Sequence, residues 1–348
     1  MNPVSDKLTA GATAGDAVSS ARESSVREGI LEVPGRVTLH HGGTLEGVRI
    51  AWRLVGPSGA PVIAALGGIS ANRRVCLTED PRDSWWSEIV GPGRALDTAR
   101  YRILSIDYLG GSGESTGPVA GQTFPSLSSY DQADALLRVL NHLGLKSLRA
   151  FAGGSYGGMV GLAFAERYPE RLSHLIVIGA ADRAHPMATA WRSVQRNIVR
   201  YAIERGQPAE GLKLARALAM ATYRSSEEFA ARFSGAPTRA GDRFVFPVEE
   251  YLFARGADYA TRYRPESFLC LSESIDLHRV DATRIFVPTT AVAVREDQLV
   301  PLADIRAMVA RLPSGRLHEI SSVFGHDAFL KEPEQLRAIF SSALGETP

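Results

Sequence analysis

"FAGGSYGGMV", residues 151–160, sets a serine among glycines where one apolar run ends and another begins. Gly153 and Gly157 stand two residues before and after Ser155, the G-x-S-x-G spacing of a nucleophile held on a strand-to-helix turn. Ahead of it, "LRAFAG" (148–153) reads as a short buried strand. Behind it, "GMVGLAFAERYP" (158–169) has apolar residues at helical spacing and stops at Pro169. A turn squeezed between the two strains the backbone at the serine, and small neighbours permit that conformation. Glycine is frequent in this chain, 33 of 348 residues, so the spacing alone does not assign the role. Its partners must.

Outward from this turn the chain alternates strand-like and helix-like segments. "RVTLHHG" and "GVRIAWRLVG" alternate polar and apolar positions around "GTLE", the pattern of an antiparallel hairpin. Short, almost wholly apolar runs follow: "PVIAALGG", "YRILSIDYLG", "LRAFAGG", "HLIVIGAA", "VPTTAVAV" and "RLHEISS". Such runs suit parallel strands covered by helices on both faces. Helical patterns lie between several of them, notably "SSYDQADALLRVLNHLG", with Ser129 as the expected N-cap, and "PLADIRAMVARLPSG", with Pro301 near its start. The alternation breaks at residues 183–283, where the readable segments are helical. These observations predict an α/β core at 34–182 and 284–348 around an inserted helical lid at 183–283. The mostly parallel sheet should have about eight strands. Residues 1–33, rich in Ala, Ser, Gly and charge, lack the apolar stretch of a secretory signal and read as a disordered tail.

A nucleophilic serine needs a base, and the base needs an orienting acid. In the α/β-hydrolase fold the chain order is Ser, then Asp or Glu, then His, with the last two in loops after late strands. His326, in "VFGHDAFL", follows the expected last strand "LHEISS". Asp297, in "AVAVREDQLVP", follows the strand before it, with Glu296 and Asp304 as rivals. Order and placement bring both to the sheet edge that bears Ser155. The remaining histidines, among them His40, His41, His142 and His278, read as surface or packing residues. The oxyanion hole needs backbone N–H donors. Tyr156, directly after the nucleophile, supplies one, and the loop after "VIAALGG", at Gly67 and Gly68, supplies the other. This chemistry is acyl transfer through an acyl-serine, with the acceptor left open.

Composition narrows the partners. Lys plus Arg exceed Asp plus Glu by one, 39 against 38, which suggests neither nucleic acid nor an anionic membrane surface. No apolar stretch reaches the length of a membrane span. Two cysteines, Cys76 and Cys270, make no disulfide framework and no metal-ligand spacing, so the expected compartment is the cytoplasm.

Beyond the elbow, "WWSEIVGPGRALDTARYRILSIDYLGGSGESTGP", "GGSYGGM", "LARALAMATYRS" and "FGHDAFL" resemble the homoserine O-acyltransferase family of methionine biosynthesis, from about residue 38 to 345. The resemblance implies an α/β-hydrolase-fold homodimer that moves an acyl group from acyl-CoA through serine to the homoserine hydroxyl, with no metal or prosthetic group. Carried across by motif, Ser155 is the nucleophile, Asp297 the acid and His326 the base. Arg216 faces the substrate carboxylate and Asp327 its amine. An Arg fork suits a carboxylate, and a zwitterion needs one cation and one anion set apart. Without the resemblance, Arg216 reads as a solvated lid charge and Asp327 as a helix N-cap.

The chain departs from the family at several places. Tyr156 stands where typical members have methionine, which changes a side chain but keeps the backbone donor. "LGGISANRR" replaces a segment with a histidine, and "LGGSGESTGP" replaces a cysteine-bearing loop, a change expected to reshape the mouth of the site. Some succinyl-using relatives have arginine two residues after the catalytic aspartate. Leu299 stands there and leans the donor towards acetyl-CoA, with Arg295, Arg73 or Arg74 as other sources of charge. The alternatives are transfer to serine instead of homoserine, a serine esterase with water as acceptor, and a non-catalytic scaffold.

Overall fold

The computed structural model describes residues 25–80 and 83–345. Its strands are β1 (Ser25–Thr38), β2 (Thr44–Gly56), β3 (Val62–Leu66), β4 (Val90–Gly91), β5 (Leu96–Asp97), β6 (Arg102–Ile106), β7 (Ala150–Gly154), β8 (Leu175–Ile178), β9 (Thr238–Ala240), β10 (Arg243–Val245), β11 (Thr289–Val294) and β12 (Gly315–Ile320). Eight form one sheet in the order β1-β2-β6-β3-β7-β8-β11-β12, while β4-β5 and β9-β10 are separate pairs. β1 and β2 run antiparallel, as does β2 against β6; the other neighbours are parallel.

Side chains alternate across a strand, so each apolar run feeds two cores. Phe151, Leu175, Val177, Ala291 and Ala293 face one, with Leu136, Val160 and Phe164 from the covering helices. Ala150, Ala152, Ile176, Ile178, Val292 and Val294 face the other, with Trp86, Leu336 and Phe340. Each fully buried Phe or Ile contributes roughly 1.5–3 kcal/mol.

The helices are α1 (Ser129–His142), α2 (Tyr156–Arg167), α3 (Pro186–Glu204), α4 (Pro208–Tyr223), α5 (Ser226–Arg232), α6 (Pro247–Ala260), α7 (Pro265–Asp276), α8 (Leu302–Val309), α9 (Ala328–Lys331) and α10 (Pro333–Leu344). Between β8 and β11 the chain runs through α3–α7 and the β9-β10 hairpin, and none of it joins the main sheet. Four of these helices open on proline, at 186, 208, 247 and 265, where no backbone donor is lost. Glycines let them pack closely: a Cβ on Gly211 would lie 2.3 Å from the Ala202 Cβ, and one on Gly256 would lie 2.3 Å from the Lys213 carbonyl. None of the described helices is long and apolar enough to cross a membrane.

Two boundaries differ from the sequence reading. β1 begins at Ser25, so residues 25–33 are strand rather than tail; residues 1–24 lie outside the described residues. The pairing runs unbroken from Ser25 opposite Gly56 to Val33 opposite Val48. Backbone hydrogen bonds to β2 hold this largely exposed edge, and its charged side chains are those of an edge strand. The second is one residue: Ser128, not Ser129, caps α1. The Asp131 carboxylate accepts the Ser128 N–H at 2.7 Å, and Ser128 Oγ accepts the Asp131 N–H at 3.4 Å, closing a capping box.

Candidate active site

Parallel pairing of β7, β8, β11 and β12 sends their following loops to one edge of the sheet, where the turn from β7 to α2 lies. Ser155 there has φ 54°, a left-handed conformation rare for a residue with a side chain. The surroundings hold it: its N–H donates to the Ile178 carbonyl at 2.8 Å. The flanking glycines are required by space. A Cβ on Gly153 would lie 2.3 Å from the Gly157 carbonyl oxygen, and one on Gly157 would lie 2.1 Å from that of Leu66.

His326 Nε2 is 2.8 Å from Ser155 Oγ, and its Nδ1 is 2.7 Å from Asp297 Oδ2. Asp297 Oδ1 accepts the N–H groups of Leu299 at 2.8 Å and Val300 at 3.0 Å, which fixes the buried carboxylate. With Asp297 ionised, Nδ1–H donates to it and Nε2 is left to accept the serine proton. Burial of His326 works against its imidazolium. The charge and hydrogen bond of Asp297 outweigh that, with Asp327 adding to them, and raise its pKa above the ordinary 6.5. The rival acids are elsewhere: Glu296 is bound to Ser321 Oγ and the Ser322 N–H, and Asp304 sits on α8.

A cavity of about 190 Å³ opens from this serine, walled by the core loops on one side and by α3, α4 and α7 on the other. Tyr156, Gly68 and Leu299 line it; Gly67 does not. The Gly67 carbonyl instead accepts the Gly157 N–H at 2.8 Å and the Tyr108 hydroxyl at 2.6 Å. "LGGSGESTGP" is absent from the wall; its Gly111 carbonyl is held from the lid by Arg264 and Ser267. The expected reshaping of the mouth is therefore not made by direct contact.

Arg216 on α4 and Asp327, beside the histidine, both line the cavity. Arg216 reaches the Tyr223 hydroxyl at 3.3 Å and lies over the Tyr223 and Tyr259 rings, and no salt bridge to it forms among the described residues. The reading of Arg216 as a solvated charge does not fit that setting. Asp327 stands at the N-cap of α9 without a capping bond from its side chain. Its Oδ2 accepts from Arg224 Nε at 2.9 Å.

Three arginines considered for the acyl donor are committed elsewhere. Arg73 is paired with Asp107 and Glu114, Arg74 with Asp83 and Arg295 with Glu319, and none lines the cavity. Arg192 does, and sequence reasoning missed it. It and Arg196 share the single carboxylate of Asp276 on α7, each 2.6 Å from it, so the cluster has one cation in excess. Arg192 Nε donates to Asp276 Oδ1 at 2.8 Å, with its Nη2 2.6 Å from the same oxygen. The available signal was two arginines four apart on a lid helix, which place them on one face. Tyr223, in "TYRS", carries no sequence signal of its contact with Arg216.

A family model described as the α/β-hydrolase fold matches residues 76–333. Across 345 residues the chain is 44% identical to the homoserine O-succinyltransferase of Xanthomonas campestris pv. campestris, covering 98% of this chain and 89% of that one. It is 37% identical over 285 residues to the homoserine O-acetyltransferase of Thermus thermophilus, covering 76% and 72%. Among solved structures, the homoserine O-acetyltransferase from Bacillus anthracis superposes with a TM-score of 0.81 at 18% identity, over 93% of this chain and 98% of that one.

Proposed function

The chain belongs to the homoserine O-acyltransferase family of the α/β-hydrolase fold, and from that premise we propose that it carries a succinyl group from succinyl-CoA, through Ser155, to the hydroxyl of homoserine. The observation that carries the reading is a hydrogen-bonded Ser-His-Asp set opening on one cavity that also holds an unpaired cation, Arg216, and an anion, Asp327.

The steps follow from that geometry. Ser155 Oγ attacks the thioester carbonyl as His326 Nε2 takes its proton, and Asp297 steadies the imidazolium. The oxyanion is met by the N–H groups of Tyr156 and Gly68. Collapse expels the CoA thiolate, which takes the proton from His326. Homoserine then lies with its carboxylate on Arg216 and its ammonium on Asp327. Its hydroxyl gives a proton to His326 and attacks the acyl-serine, and His326 returns that proton to Ser155 Oγ as the O-acyl ester leaves. No metal or prosthetic group enters. Lid residues wall the cavity, and keeping water off the acyl-enzyme favours transfer over hydrolysis.

Arg192 moves the donor reading from acetyl to succinyl. A desolvated second carboxylate needs a cation, Leu299 offers none, and Arg192 brings to the cavity wall a cluster in which two arginines share the one carboxylate of Asp276. The reading also places the enzyme in the reducing cytoplasm, where its two cysteines stay free. It makes it a homodimer, supported by Met187, Val194 and Tyr201, exposed at seven-residue spacing along α3.

The test is CoA release by purified protein offered acetyl-CoA or succinyl-CoA with homoserine, serine or no acceptor. Release that requires homoserine and favours succinyl-CoA is expected. A preference for serine would change the acceptor. Equal release without an acceptor would make water the acceptor and replace the transferase with a hydrolase.

A further inference from the structure

Two buried tyrosines stand behind the catalytic serine, and the mechanism above uses the side chain of neither. Tyr108, in the loop after β6, donates its hydroxyl to the Gly67 carbonyl at 2.6 Å. Tyr156, the first residue of α2, has its hydroxyl 2.6 Å from Ser274 Oγ on α7. The rings meet edge to face, with centroids 5.0 Å apart. Burial pushes the pKa of both phenols up, so both hydroxyls stay protonated.

Each tyrosine is tied to one half of the oxyanion hole. Tyr156 carries one donor on its own backbone. Tyr108 acts on the other through a peptide plane: in a trans peptide the N–H points opposite the carbonyl, so holding the Gly67 carbonyl sets the direction of the Gly68 N–H. Gly67 has little room to adjust, because a Cβ there would lie 2.7 Å from Trp85 and 2.8 Å from Ala71. The Tyr156–Ser274 bond adds the lid. α7 presents Phe268, Ser272 and Ile275 to the cavity, while Ser274 is fully buried against the core.

We propose that Tyr108 and Tyr156 are a coupled pair of positioning residues that hold the two oxyanion donors in register and tie that register to lid helix α7. The proposal rests on the acyl-serine reading. It assigns the phenols no contact with substrate. An oxyanion donor removed outright costs roughly 100- to 1,000-fold in rate. A donor left in place but free to rotate should lose part of that.

The experiment follows acylation of Ser155 by p-nitrophenyl acetate, read as the p-nitrophenolate burst, alongside affinity for trifluoroacetone, whose adduct with Ser155 bears an oxyanion. Tyr108→Phe leaves the Gly67 carbonyl bonded to the Gly157 N–H, so a purely structural role predicts near-parent kinetics in folded protein. Positioning predicts acylation slowed roughly tenfold or more, weaker trifluoroacetone binding in parallel, and KM within twofold. Tyr156→Phe and Ser274→Ala should each slow acylation, and together they should cost less than the product of the two, because they break the same bond. If Tyr108→Phe does not fold, that second set decides. Folded variants that acylate at the parent rate, or that change KM alone, overturn the proposal. A parent that shows no burst, or a Ser155→Ala variant that keeps one, overturns the acyl-serine reading instead.

Discussion

Asp297→Asn exchanges a carboxylate for an amide of the same shape, and the surrounding hydrogen bonds dictate how that amide sits. Oδ1 accepts two backbone N–H groups, from Leu299 at 2.8 Å and Val300 at 3.0 Å. The amide oxygen must stay there, since turning the group would set N–H against N–H. The amide nitrogen is then left at the Oδ2 position, 2.7 Å from His326 Nδ1. An N–H facing Nδ1 forces that nitrogen to accept, which moves the ring proton to Nε2. There it points at Ser155 Oγ, 2.8 Å away, and the imidazole can no longer take the serine proton. In a serine protease of another fold the same exchange lowers kcat about ten-thousand-fold with the geometry intact. That corresponds to roughly 5 kcal/mol of barrier, at about 1.4 kcal/mol per tenfold. The same order is expected here, read as homoserine-dependent CoA release, with circular dichroism and thermal melting to verify the fold. Loss of the negative charge should also lower the His326 pKa, so the acid limb of residual activity should move to lower pH. A folded variant within tenfold of the parent kcat would refute the assignment of Asp297 as the orienting acid.

Ser155→Ala should abolish turnover and keep the fold, since alanine carries the same Cβ at φ 54°; full residual activity would sink the acyl-serine mechanism. Arg216→Ala should raise KM for the amino acid far more than for acyl-CoA, and equal effects on both would remove its carboxylate role. Arg192→Met should cut the preference for succinyl-CoA over acetyl-CoA roughly 10- to 100-fold, the range set by a charged hydrogen bond of about 1.5–3 kcal/mol; unchanged selectivity would return the donor question to acetyl. His278 is buried, bonded to Ser129 Oγ at 2.7 Å and the Ala181 carbonyl at 3.1 Å, and burial lowers its pKa from 6.5 to about 4. Because the unfolded chain takes up this proton first, the neutral ring supports folding above pH 6.5, and that support is lost as pH falls towards 4. The full difference is about 3 kcal/mol, and urea midpoints at pH 7.5 and 5 should converge for parent and His278→Gln as the pH falls. A gap that stays constant would show that His278 is not the titrating group.

Much of this protein was legible because its signals are local. The G-x-S-x-G turn, the apolar runs on either side of it and the order Ser155, Asp297, His326 lie in the linear chain, and parallel strands bring their following loops to one edge. The helical character of the segment between the two halves of the core was likewise readable from spacing. The edge strand at Ser25 was not, since a strand held by pairing to β2 needs few apolar side chains and looks like a tail. Nor was Arg192: its excess charge exists only because Asp276, on α7, has to serve two arginines across the lid. The same holds for Tyr108, whose hydroxyl meets a glycine carbonyl 41 residues away. The sequence by itself determined the serine turn, the order Ser155, Asp297, His326 and the fold that presents them, because those depend on short-range pattern. Tertiary structure alone decided which charges line the cavity and which hydroxyl holds the Gly67 carbonyl. Those properties arise from contacts between segments far apart in the chain, and no local periodicity encodes them.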